Sequence, residues 1–425
     1  MINGERNILW PSVVRWYAKS SGPTNDKSKF LPVTPEILKG CHYKGGFDTV
    51  SIYLQNNPDS HFFASKGLIL GGSHSPSPLN RNAHCGDLSA VLLQNLNPLV
   101  NLIRVPDKKI ILMDEWESKI KAIVESTWKT DVNSLSGVPS WMLVLIKAVL
   151  QKTGSEYLTD VWPNMEVFFH GGISFEPYRD QYKALIPSDR MHYMETYNAS
   201  EGFFGLQDNP EEHSLLLMID YSVFYEFIPI NEVGEEHPTV LPLEAVEVGK
   251  NYAMVITTSG GLWRYQIGDT VRFTSLYPHK FVISGRTKNF INAFGEELMV
   301  DNADKAISRV CRQTGAKVKE YTAAPLFMLD KAKGRHQWMI EFEKMPPSLD
   351  DFASLLDKTL QQLNSDYEAK RYKEISLQPL EIRVAREGTF YEWLRRKGKL
   401  GGQHKIPRLS NDRTFIEELG KICDS

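Results

Sequence analysis

Hydrophobic residues in the first half of the chain recur with the spacing of a helix and then cluster in a strand-like run. Residues 141–152 are apolar at helical spacing after a Gly-Val-Pro-Ser start, in which Ser140 is a candidate helix cap. Residues 165–169 form a short apolar run that ends in His170-Gly171-Gly172. The pattern therefore predicts a helix, then a strand, then a turn.

The middle of the chain has the composition of β-strands. Residues 213–230 are rich in β-branched, aromatic and apolar side chains. Residues 252–257 and 262–273 form two further runs of this kind on either side of Ser259-Gly260-Gly261, a sequence typical of a turn. We therefore expect a strand-rich region here.

After about residue 290 the pattern becomes an ordered succession of elements. It predicts a helix near residues 303–312 and strands near residues 318–327 and 337–342. A long helix is expected to begin at Ser348, and a further strand is expected at residues 380–384.

The long helix has a clear start and a clear apolar face. Ser348 lies three residues before Asp351, as at a capped N-terminus, and the face that follows comprises Phe352, Leu355, Leu356, Leu360, Leu363 and Tyr367. Helix, two strands, helix and strand form most of a split βαβ unit, which can stand as a small domain. We therefore expect a large domain at residues 1–290 and a small one at 291–425. Because a short segment joins the two domains, we expect that they can move relative to each other.

Composition and charge narrow the class of protein. The chain has 425 residues, 42% hydrophobic and 24% charged, as in a globular protein of two or three domains. Its 49 basic and 52 acidic residues give a net charge of −3, so no global excess of positive charge suits a nucleic acid or an acidic membrane. The four cysteines form no CxxC pair, and no apolar run approaches the roughly 18 residues that cross a bilayer. We expect a soluble cytoplasmic protein with free thiols.

A polar, glycine-containing segment near the start suits phosphate binding. It runs from Ser20 to Lys29 and contains Ser21, Gly22, Pro23, Thr24 and Lys27. Hydroxyls, lysines and a glycine that lets backbone approach closely are suited to phosphate oxygens. The second glycine of a Walker loop is missing, and the alternative is a solvated turn.

Two further segments suit a nucleotide. In the segment 195–205, Tyr197 could stack on a base, and Ser200 with Glu201 places a hydroxyl beside a carboxylate that could bind a hard metal; the alternative is a loop whose phenylalanines fill the core. In the segment 263–269, Asp269 follows a glycine, where a carboxylate can accept both ribose hydroxyls, or where the chain simply makes a hairpin turn.

Three remaining candidates have ordinary alternatives. Arg286, near the predicted domain boundary, could reach phosphate or ribose oxygens or lie in a solvated linker. The basic stretch 395–408 is more typical of a solvated surface than of a nucleic-acid site. We interpret His170 as a hydrogen-bonded structural histidine, because nothing pairs it with a nucleophile. The sequence contains no GxGxxG, GxSxG or HExxH motif.

Taken together and in order, these segments are far more specific than any one of them. Over nearly its whole length the chain resembles the Gretchen Hagen family of auxin-responsive acyl acid amido synthetases, in its bacterial branch. The segments that carry the resemblance are AKSSGPTNDKSKF, SGVPSWMLVL, FFHGGISFEPYRDQY, ETYNASEGFFG, VFYEFIP, WRYQIGDTVRF and GQHKIPR.

The resemblance implies the α/β fold of adenylate-forming enzymes: a large N-terminal domain with mixed sheets and a β-barrel part, and a small α+β C-terminal lid. It also implies an ATP- and Mg²⁺-dependent ligase that converts a carboxylic acid to an acyl adenylate, from which an amino acid displaces AMP. Developing charge on the phosphates would be stabilised by fixed cations and N–H groups. The implied partners are small molecules, with neither nucleic acid nor membrane.

The resemblance also assigns roles to individual residues. Ser20, Ser21, Gly22 and Thr24 would form the phosphate loop, to which Lys27 or Lys29 adds charge. Tyr197 would stack on adenine, next to Ser200, and Asp269 would accept the ribose hydroxyls. Glu201 would lie near magnesium, Arg286 near the ribose or phosphate at the hinge, and Lys405 on the mobile lid, which brings its charge to the α-phosphate on closure.

Two departures from the family pattern matter. Pro23 replaces a threonine, which removes a hydroxyl and a backbone N–H and costs about 2–4 kcal/mol of transition-state stabilisation without compensation. The phosphate loop also comes unusually early, so we expect N-terminal helices that cover the acyl pocket to be missing. These departures leave a non-catalytic nucleotide- or acyl-binding descendant as an alternative, beside an acyl-CoA ligase of the same superfamily. Met191, Phe175 and Phe224 are apolar neighbours of the motifs. They could line the pocket, but core packing is the favoured role for each.

Overall fold

The chain is represented here by a computed structural model. It describes all residues except 1–4, 6, 12, 21–28, 77–82, 177, 288–289, 292, 295, 297, 328–333, 372–376, 399, 401–405 and 425. Five predicted site residues, Ser21, Gly22, Thr24, Lys27 and Lys405, therefore lie outside the described part, as does Pro23.

The first 200 residues alternate short strands with helices. In chain order the elements are β1 (Trp16–Ser20), β2 (Lys29–Val33), α1 (Pro35–Ile37), a π-helical segment (Leu38–Tyr43), α2 (Lys44–Asn56), β3 (Lys66–Ile69), β4 (His74–Pro76), β5 (His84–Gly86), α3 (Leu88–Asn95), a 3-10 segment (Pro98–Leu102), β6 (Arg104–Val105), α4 (Lys108–Ile111), α5 (Trp116–Thr127), β7 (Val132–Gly137), α6 (Pro139–Thr153), α7 (Leu158–Val161), β8 (Val167–Gly171), α8 (Arg179–Leu185) and β9 (His192–Ala199).

Helix α6 confirms the predicted helix but corrects its start. Val138 holds the cap position and Pro139 the first helical position, where the fixed φ of the ring suits a helix and the missing N–H costs nothing. Ser140, predicted to cap, lies inside the first turn, so that prediction is wrong. Gly154 ends the helix with φ of 70°, a left-handed conformation that glycine adopts without steric cost.

The middle of the chain is built from strands, as predicted, and these strands pair antiparallel. Its elements are β10 (Gly202–Leu206), β11 (Leu215–Leu217), β12 (Val223–Pro229), β13 (Leu241–Pro242), β14 (Asn251–Thr258), β15 (Tyr265–Leu276) and β16 (His279–Arg286), with 3-10 segments at Ile230–Glu232 and Leu243–Ala245. The predicted Ser259-Gly260-Gly261 turn joins β14 to β15.

Strands from both regions form one large mixed sheet. Within the described residues its order is β13-β12-β14-β15-β16-β11-β10-β9-β8-β7-β3-β6. The pairs from β9 to β6 are parallel, and those from β13 to β9 are antiparallel. A second sheet of order β2-β1-β5-β4 shares a core with the antiparallel part, in which Ala18 and Leu31 join Phe227 and Phe273.

The C-terminal region repeats the predicted succession and adds to it. Its elements are β17 (Phe290–Ile291), β18 (Leu298–Met299), α9 (Val300–Thr314), β19 (Lys317–Phe327), β20 (Gly334–Lys344), α10 (Leu349–Leu363), α11 (Ser365–Arg371), β21 (Glu381–Ala385), α12 (Thr389–Arg396) and α13 (Thr414–Cys423). The sheet order β19-β20-β21, with β20 and β21 parallel, confirms the split βαβ unit. Ser348 caps α10 by accepting the N–H of Asp351, as predicted.

This architecture confirms the implied fold class, a large α/β part with a small α+β part after it. The two parts touch through Lys147 and Glu343, whose charged groups are 3.0 Å apart, and through Trp141, which packs against the cores of both. A boundary at residue 290 stays a prediction. The described helices include none long and apolar enough to cross a membrane.

Candidate active site

A cavity of about 1670 Å³ opens where the parallel strands end. Gly71 and Gly72 follow β3, Gly137 ends β7, and His170 lies near the end of β8; all four line the cavity. The carboxyl ends of parallel strands commonly form the ligand crevice of an open α/β sheet, because the chain leaves the sheet there toward opposite faces. Residues of α9 and β19 close the cavity from the C-terminal side.

Three predicted nucleotide residues meet at one wall of this cavity. Asp269 on β15 and Arg286 on β16 are directly paired in the antiparallel register, and Arg286 Nε lies 2.9 Å from Asp269 Oδ1. Tyr197 on β9 donates its hydroxyl to Asp269 Oδ2 at 2.6 Å. Two neighbours therefore fix the Asp269 carboxylate, although the three residues come from segments far apart in sequence.

Tyr197 serves the core as well as the site. Its side chain is 5% exposed, and its ring packs edge-on against Phe204 and Phe281 at centroid distances of 5.0 and 6.1 Å. Burial, with the charge of Asp269, raises the pKa of the Tyr197 hydroxyl well above its usual range. The hydroxyl therefore remains a hydrogen-bond donor to Asp269, and stacking of adenine on the ring stays a prediction.

Glu201 is a buried carboxylate at the tip of a hairpin. Ser200 and Glu201 are the two residues between β9 and β10, and both line the cavity. Glu201 is 9% exposed, and burial, with the nearby charge of Asp269, raises the pKa of its carboxyl to about 7. No other side chain hydrogen-bonds to it or pairs with it in the described part of the structure.

Lys29 lies at the end of the expected phosphate loop. Strands β1 and β2 pair antiparallel, and Ser20, described by its backbone, pairs with Lys29. Lys29 Nζ donates to the Tyr265 hydroxyl at 3.3 Å, and its positive charge favours the ionised form of Glu201. The base of the loop thus lies near Glu201, and the loop itself stays a prediction.

The terminal motif approaches the same cavity. Ile406 and Arg408, which follow Lys405 in sequence, both line it. Arg408 is buried, forms an ion pair with Asp304, lies 3.3 Å from Glu320, and donates from Nη2 to the Tyr178 hydroxyl at 3.1 Å. Because Tyr178 belongs to the large part and Arg408 to the small one, this buried network joins the two.

The structure also places in the cavity two residues that the sequence analysis did not assign. Glu195 lies two positions before Tyr197 on β9 and lines the cavity, and burial raises the pKa of its carboxyl to about 7. Arg179 at the start of α8 lines the cavity nearby. The alternation of strand side chains, which puts positions 195 and 197 on one face, was the signal available for Glu195.

Three expectations about packing have different outcomes. Phe175 is 2% exposed and belongs to a core cluster against which Met191 packs, as expected, and Phe175 also lines the cavity. Phe224, however, is 62% exposed, so its assignment to the core is wrong: β12 turns it outward. His170 is 3% exposed, as expected of a structural histidine, but its Nδ1 accepts or donates no hydrogen bond among the described residues.

The donor set suits a magnesium-nucleotide complex better than a metal held by protein alone. The described residues contain no group of three or more His, Cys, Asp or Glu side chains placed to hold a metal ion. Mg²⁺ usually takes one or two protein carboxylates and completes its shell with phosphate oxygens and water. Glu201, which is buried and has no cationic side chain of the described residues in contact, fits that single-carboxylate role.

Comparisons with known proteins agree with this geometry. The chain matches the GH3 family N-terminal domain over residues 1–191, the GH3 family central domain over residues 216–286 and the GH3 family C-terminal domain over residues 301–414. It is 30% identical to indole-3-acetic acid-amido synthetase GH3.4 of Arabidopsis thaliana in an alignment 449 positions long, which covers 96% of this chain and 70% of that protein.

Solved structures give the same picture of the fold. The GH3.15 acyl acid amido synthetase superimposes with a TM-score of 0.77 at 18% identity, covering 100% of this chain and 83% of that one. A 2-hydroxyisobutyryl-CoA ligase in the postadenylation state, in complex with R3-HIB-AMP, superimposes with a TM-score of 0.56 at 12% identity, covering 97% and 77%. The fold is that of the adenylate-forming enzymes. Within that class, the chain belongs to the GH3 family.

Proposed function

We propose that this chain is an ATP-dependent acyl acid amido synthetase. It would activate a carboxylic acid as an acyl adenylate, with release of pyrophosphate, and transfer the acyl group to the amine of an amino acid. The observation that supports this most is the meeting of Tyr197, Asp269, Arg286 and Glu201 at one wall of a single cavity. Membership of the GH3 family supports the same reaction class.

Each of these residues would act on a different part of the nucleotide. The Asp269 carboxylate, oriented by Tyr197 and Arg286, has acceptor capacity left for the two ribose hydroxyls. Arg286, with Lys405 of the lid, would stabilise negative charge on the phosphates. Glu201 would hold Mg²⁺, which supplies positive charge to the phosphate oxygens when bound.

The acid would lie against the apolar wall of the cavity. Val50 of α2, Leu92 of α3, and Trp141 and Val144 of α6 line that wall. Their position beside the carboxyl ends of the parallel strands would let the carbon skeleton stay in an apolar environment while its carboxylate faces the nucleotide residues. Burial of each methylene contributes about 0.8 kcal/mol to binding, so this wall would select the acid largely by shape.

Several finer features belong to the same proposal. Residues 291–425 would form the mobile lid, with the boundary near residue 290. The bacterial branch of the family and a cytoplasmic location are supported by the sequence motifs and by the free thiols of Cys41, Cys85, Cys311 and Cys423.

A pyrophosphate-release assay over a panel of carboxylic acids tests the proposal. We expect ATP- and Mg²⁺-dependent release with at least one acid, and a large loss of that release in Glu201→Ala. The matched control is Glu125→Ala, since Glu125 lies on the surface and pairs with Lys152. No acid-dependent release from the wild-type protein at any pH would contradict the proposal.

Two variations of this assay separate the alternatives. An acyl-CoA ligase, whose fold this chain shares, would discharge the adenylate with CoA and not with amino acids. A non-catalytic descendant would bind ATP in calorimetry without forming pyrophosphate. The non-catalytic alternative was considered because Pro23 removes a hydroxyl from the expected phosphate loop, and Pro23→Thr restores that hydroxyl. If the wild-type protein is active and Pro23→Thr gains little activity, catalysis does not depend on the hydroxyl.

A further inference from the structure

A second polar cluster faces the cavity beside the proposed nucleotide residues. His170 on β8 and Glu195 on β9 are direct partners in the parallel register, so their side chains leave the sheet on the same face, roughly 5 Å apart at the backbone. Arg179 and Gln181 of α8 also line the cavity. The proposed function assigns no role to any of these four residues.

The cluster contains hydrogen-bond acceptors that no described donor satisfies. Gln181 Oε1 is buried without a hydrogen-bond partner among the described residues. The Glu195 carboxylate, on a partly exposed residue that lines the cavity, has no ion pair with a described residue. His170 is 3% exposed with its Nδ1 unpartnered, and burial lowers its pKa to about 3, so the ring stays neutral. A buried acceptor without a donor is costly, which points to a ligand that brings N–H groups.

A positive group stands next to these acceptors. Arg179 Nε lies 3.1 Å from Glu176 Oε2, and its guanidinium is 5.0 Å from the centre of the Phe175 ring, which holds it in place. Its Nη groups hydrogen-bond to no described residue. A guanidinium with free N–H groups, fixed in a cavity, is suited to a carboxylate.

A carboxylate and a guanidinium in one cavity match the two ends of a zwitterion. Glu195 suits an ammonium group and Arg179 suits a carboxylate, which together are the charged groups of an α-amino acid. Glu195 also lies two residues before Tyr197 on the same strand face, a distance of about 7 Å along β9. That separation keeps the cluster beside the nucleotide residues without overlapping them.

We propose that Glu195 and Arg179 form the site for the amino-acid acceptor, Glu195 binding the ammonium group and taking one proton from it, and Arg179 binding the carboxylate. This inference rests on the proposed function. The bound ammonium transfers one proton to a Glu195 carboxylate oxygen, and the freed lone pair forms the C–N bond to the acyl carbon. The C–O bond to AMP breaks, AMP leaves with that electron pair, and the second nitrogen proton passes to solvent.

The ionisation of Glu195 suits this role. Burial raises the pKa of its carboxyl to about 7, with Arg179 opposing the shift and Asp301 adding to it. Glu176, paired with Arg179, and the neutral His170 line the same cavity, as do Lys305 and Arg312 of α9. A general base whose pKa lies near the working pH is both available in the ionised form and able to accept a proton.

The test measures the two half-reactions of the enzyme separately in the Glu195→Gln variant. The first is acid-dependent pyrophosphate release without amine, and the second is amide formation with the proteinogenic L-amino acids. We expect the first to change less than about threefold and kcat/KM for the amino acid to fall on the order of 10²-fold or more. Hydroxylamine, which is largely unprotonated at neutral pH and carries no carboxylate, is expected to discharge the adenylate at the wild-type rate. Normal release and normal discharge also show that the variant is folded.

Each other outcome has a definite meaning. Amino-acid transfer by Glu195→Gln within about twofold of wild type would overturn the inference while leaving the proposed function intact. Loss of hydroxylamine discharge, or of pyrophosphate release, would also overturn it, because Glu195 would then act on the acyl adenylate or in its formation. Absence of pyrophosphate release from the wild type is the separate failure of the proposed function. Glu125→Gln is the matched control.

The second residue has its own test. Arg179→Gln should raise KM for the amino acid about tenfold or more and leave KM for its decarboxylated amine within about twofold, so the preference for a carboxylate disappears. Isothermal titration of amino acids into the protein gives a readout independent of turnover, in which both variants should weaken binding. An unchanged preference for the carboxylate, or unchanged binding in both variants, would contradict the assignment.

Discussion

The Tyr197 hydroxyl lies 2.6 Å from Asp269 Oδ2, although the two residues are 72 positions apart in the chain. The contact joins β9, in the parallel half of the sheet, to β15, in the antiparallel half. Asp269 also pairs with Arg286, so the carboxylate is held from two sides before any ligand arrives. A group fixed in this way loses little freedom when it binds a nucleotide, which favours binding.

Tyr197→Phe tests this relationship directly. The change removes the hydrogen bond to Asp269 and leaves the ring packing with Phe204 and Phe281 in place. Hydrogen bonds to charged groups contribute about 1.5–3 kcal/mol, so we expect kcat/KM for ATP in pyrophosphate release to fall roughly tenfold or more. Tyr225→Phe, which loses a buried hydrogen bond to the Met218 carbonyl outside the cavity, is the matched control. Equal losses in the two variants would indicate a general effect of stability.

Arg286→Lys tests whether the shape of the guanidinium matters as well as its charge. The Nε of Arg286 pairs with Asp269 while Nη2 donates to the Ile267 carbonyl at 3.4 Å. Lysine keeps the charge but cannot reproduce this fork. We expect adenylation to fall about tenfold, measured as the initial rate of pyrophosphate release at saturating acid. In the surface control Arg264→Lys, which alters a pair with Glu226, the rate should stay unchanged. A fully active Arg286→Lys enzyme would show that charge alone suffices.

The raised pKa of Glu201 predicts how the stability of the free protein depends on pH. A carboxyl whose folded pKa is raised from 4.5 to about 7 contributes stability that is fully present below pH 4.5 and lost as the pH rises through about 7. For Glu201 alone the loss amounts to about 3 kcal/mol at high pH. Glu201→Gln removes this loss of stability. The melting temperature of the variant should therefore rise relative to that of the wild type as the pH increases from 5 to 8.

Thermal unfolding of both proteins across this range measures the effect. Mg²⁺-ATP should narrow the difference between them at pH 8, because the ionised Glu201 then has a cationic partner. Glu125→Gln should follow the wild-type curve, since Glu125 is exposed and paired with Lys152. A constant difference between Glu201→Gln and wild type at all pH values would contradict the assigned pKa.

Arg408 holds together the buried network that joins the two parts of the chain. Arg408→Ala leaves the buried Asp304 and the partly exposed Glu320 without their cation and Tyr178 without its partner. Breaking a buried ion pair by removing one side typically costs 3–5 kcal/mol, so we expect a large drop in the melting temperature. The double variant Asp304→Asn with Arg408→Met should recover part of the loss, and Arg395→Ala, on the surface beside Glu392, should have little effect. A melting temperature unchanged by Arg408→Ala would contradict this account.

Local pattern was sufficient to predict several of the elements after residue 140. The apolar spacing of α6 and α10, the cap at Ser348 and the composition of β14 and β15 are local properties, and each was predicted from its own segment. The resemblance to a known family, which the motifs carry in their order, implied that Tyr197, Glu201, Asp269 and Arg286 share a site. Local pattern gave the wrong result at two positions. The helix begins at Pro139, so Ser140 lies in its first turn and not at the cap expected there. Phe224 lies on the face of β12 that points to solvent, which the composition of the strand does not indicate.

The amino-acid sequence by itself therefore determined the elements, their order and the chemical groups available, because propensity, capping and motif spacing act over a few residues. Only the tertiary structure decided which groups meet. The contacts of Asp269 with Tyr197 and Arg286, the burial that raises the pKa of Glu195 and Glu201, and the placement of Arg179 beside Glu195 all depend on strand register and on packing between distant segments. Desolvation and hydrogen bonding arise from those long-range neighbours, which no local pattern contains.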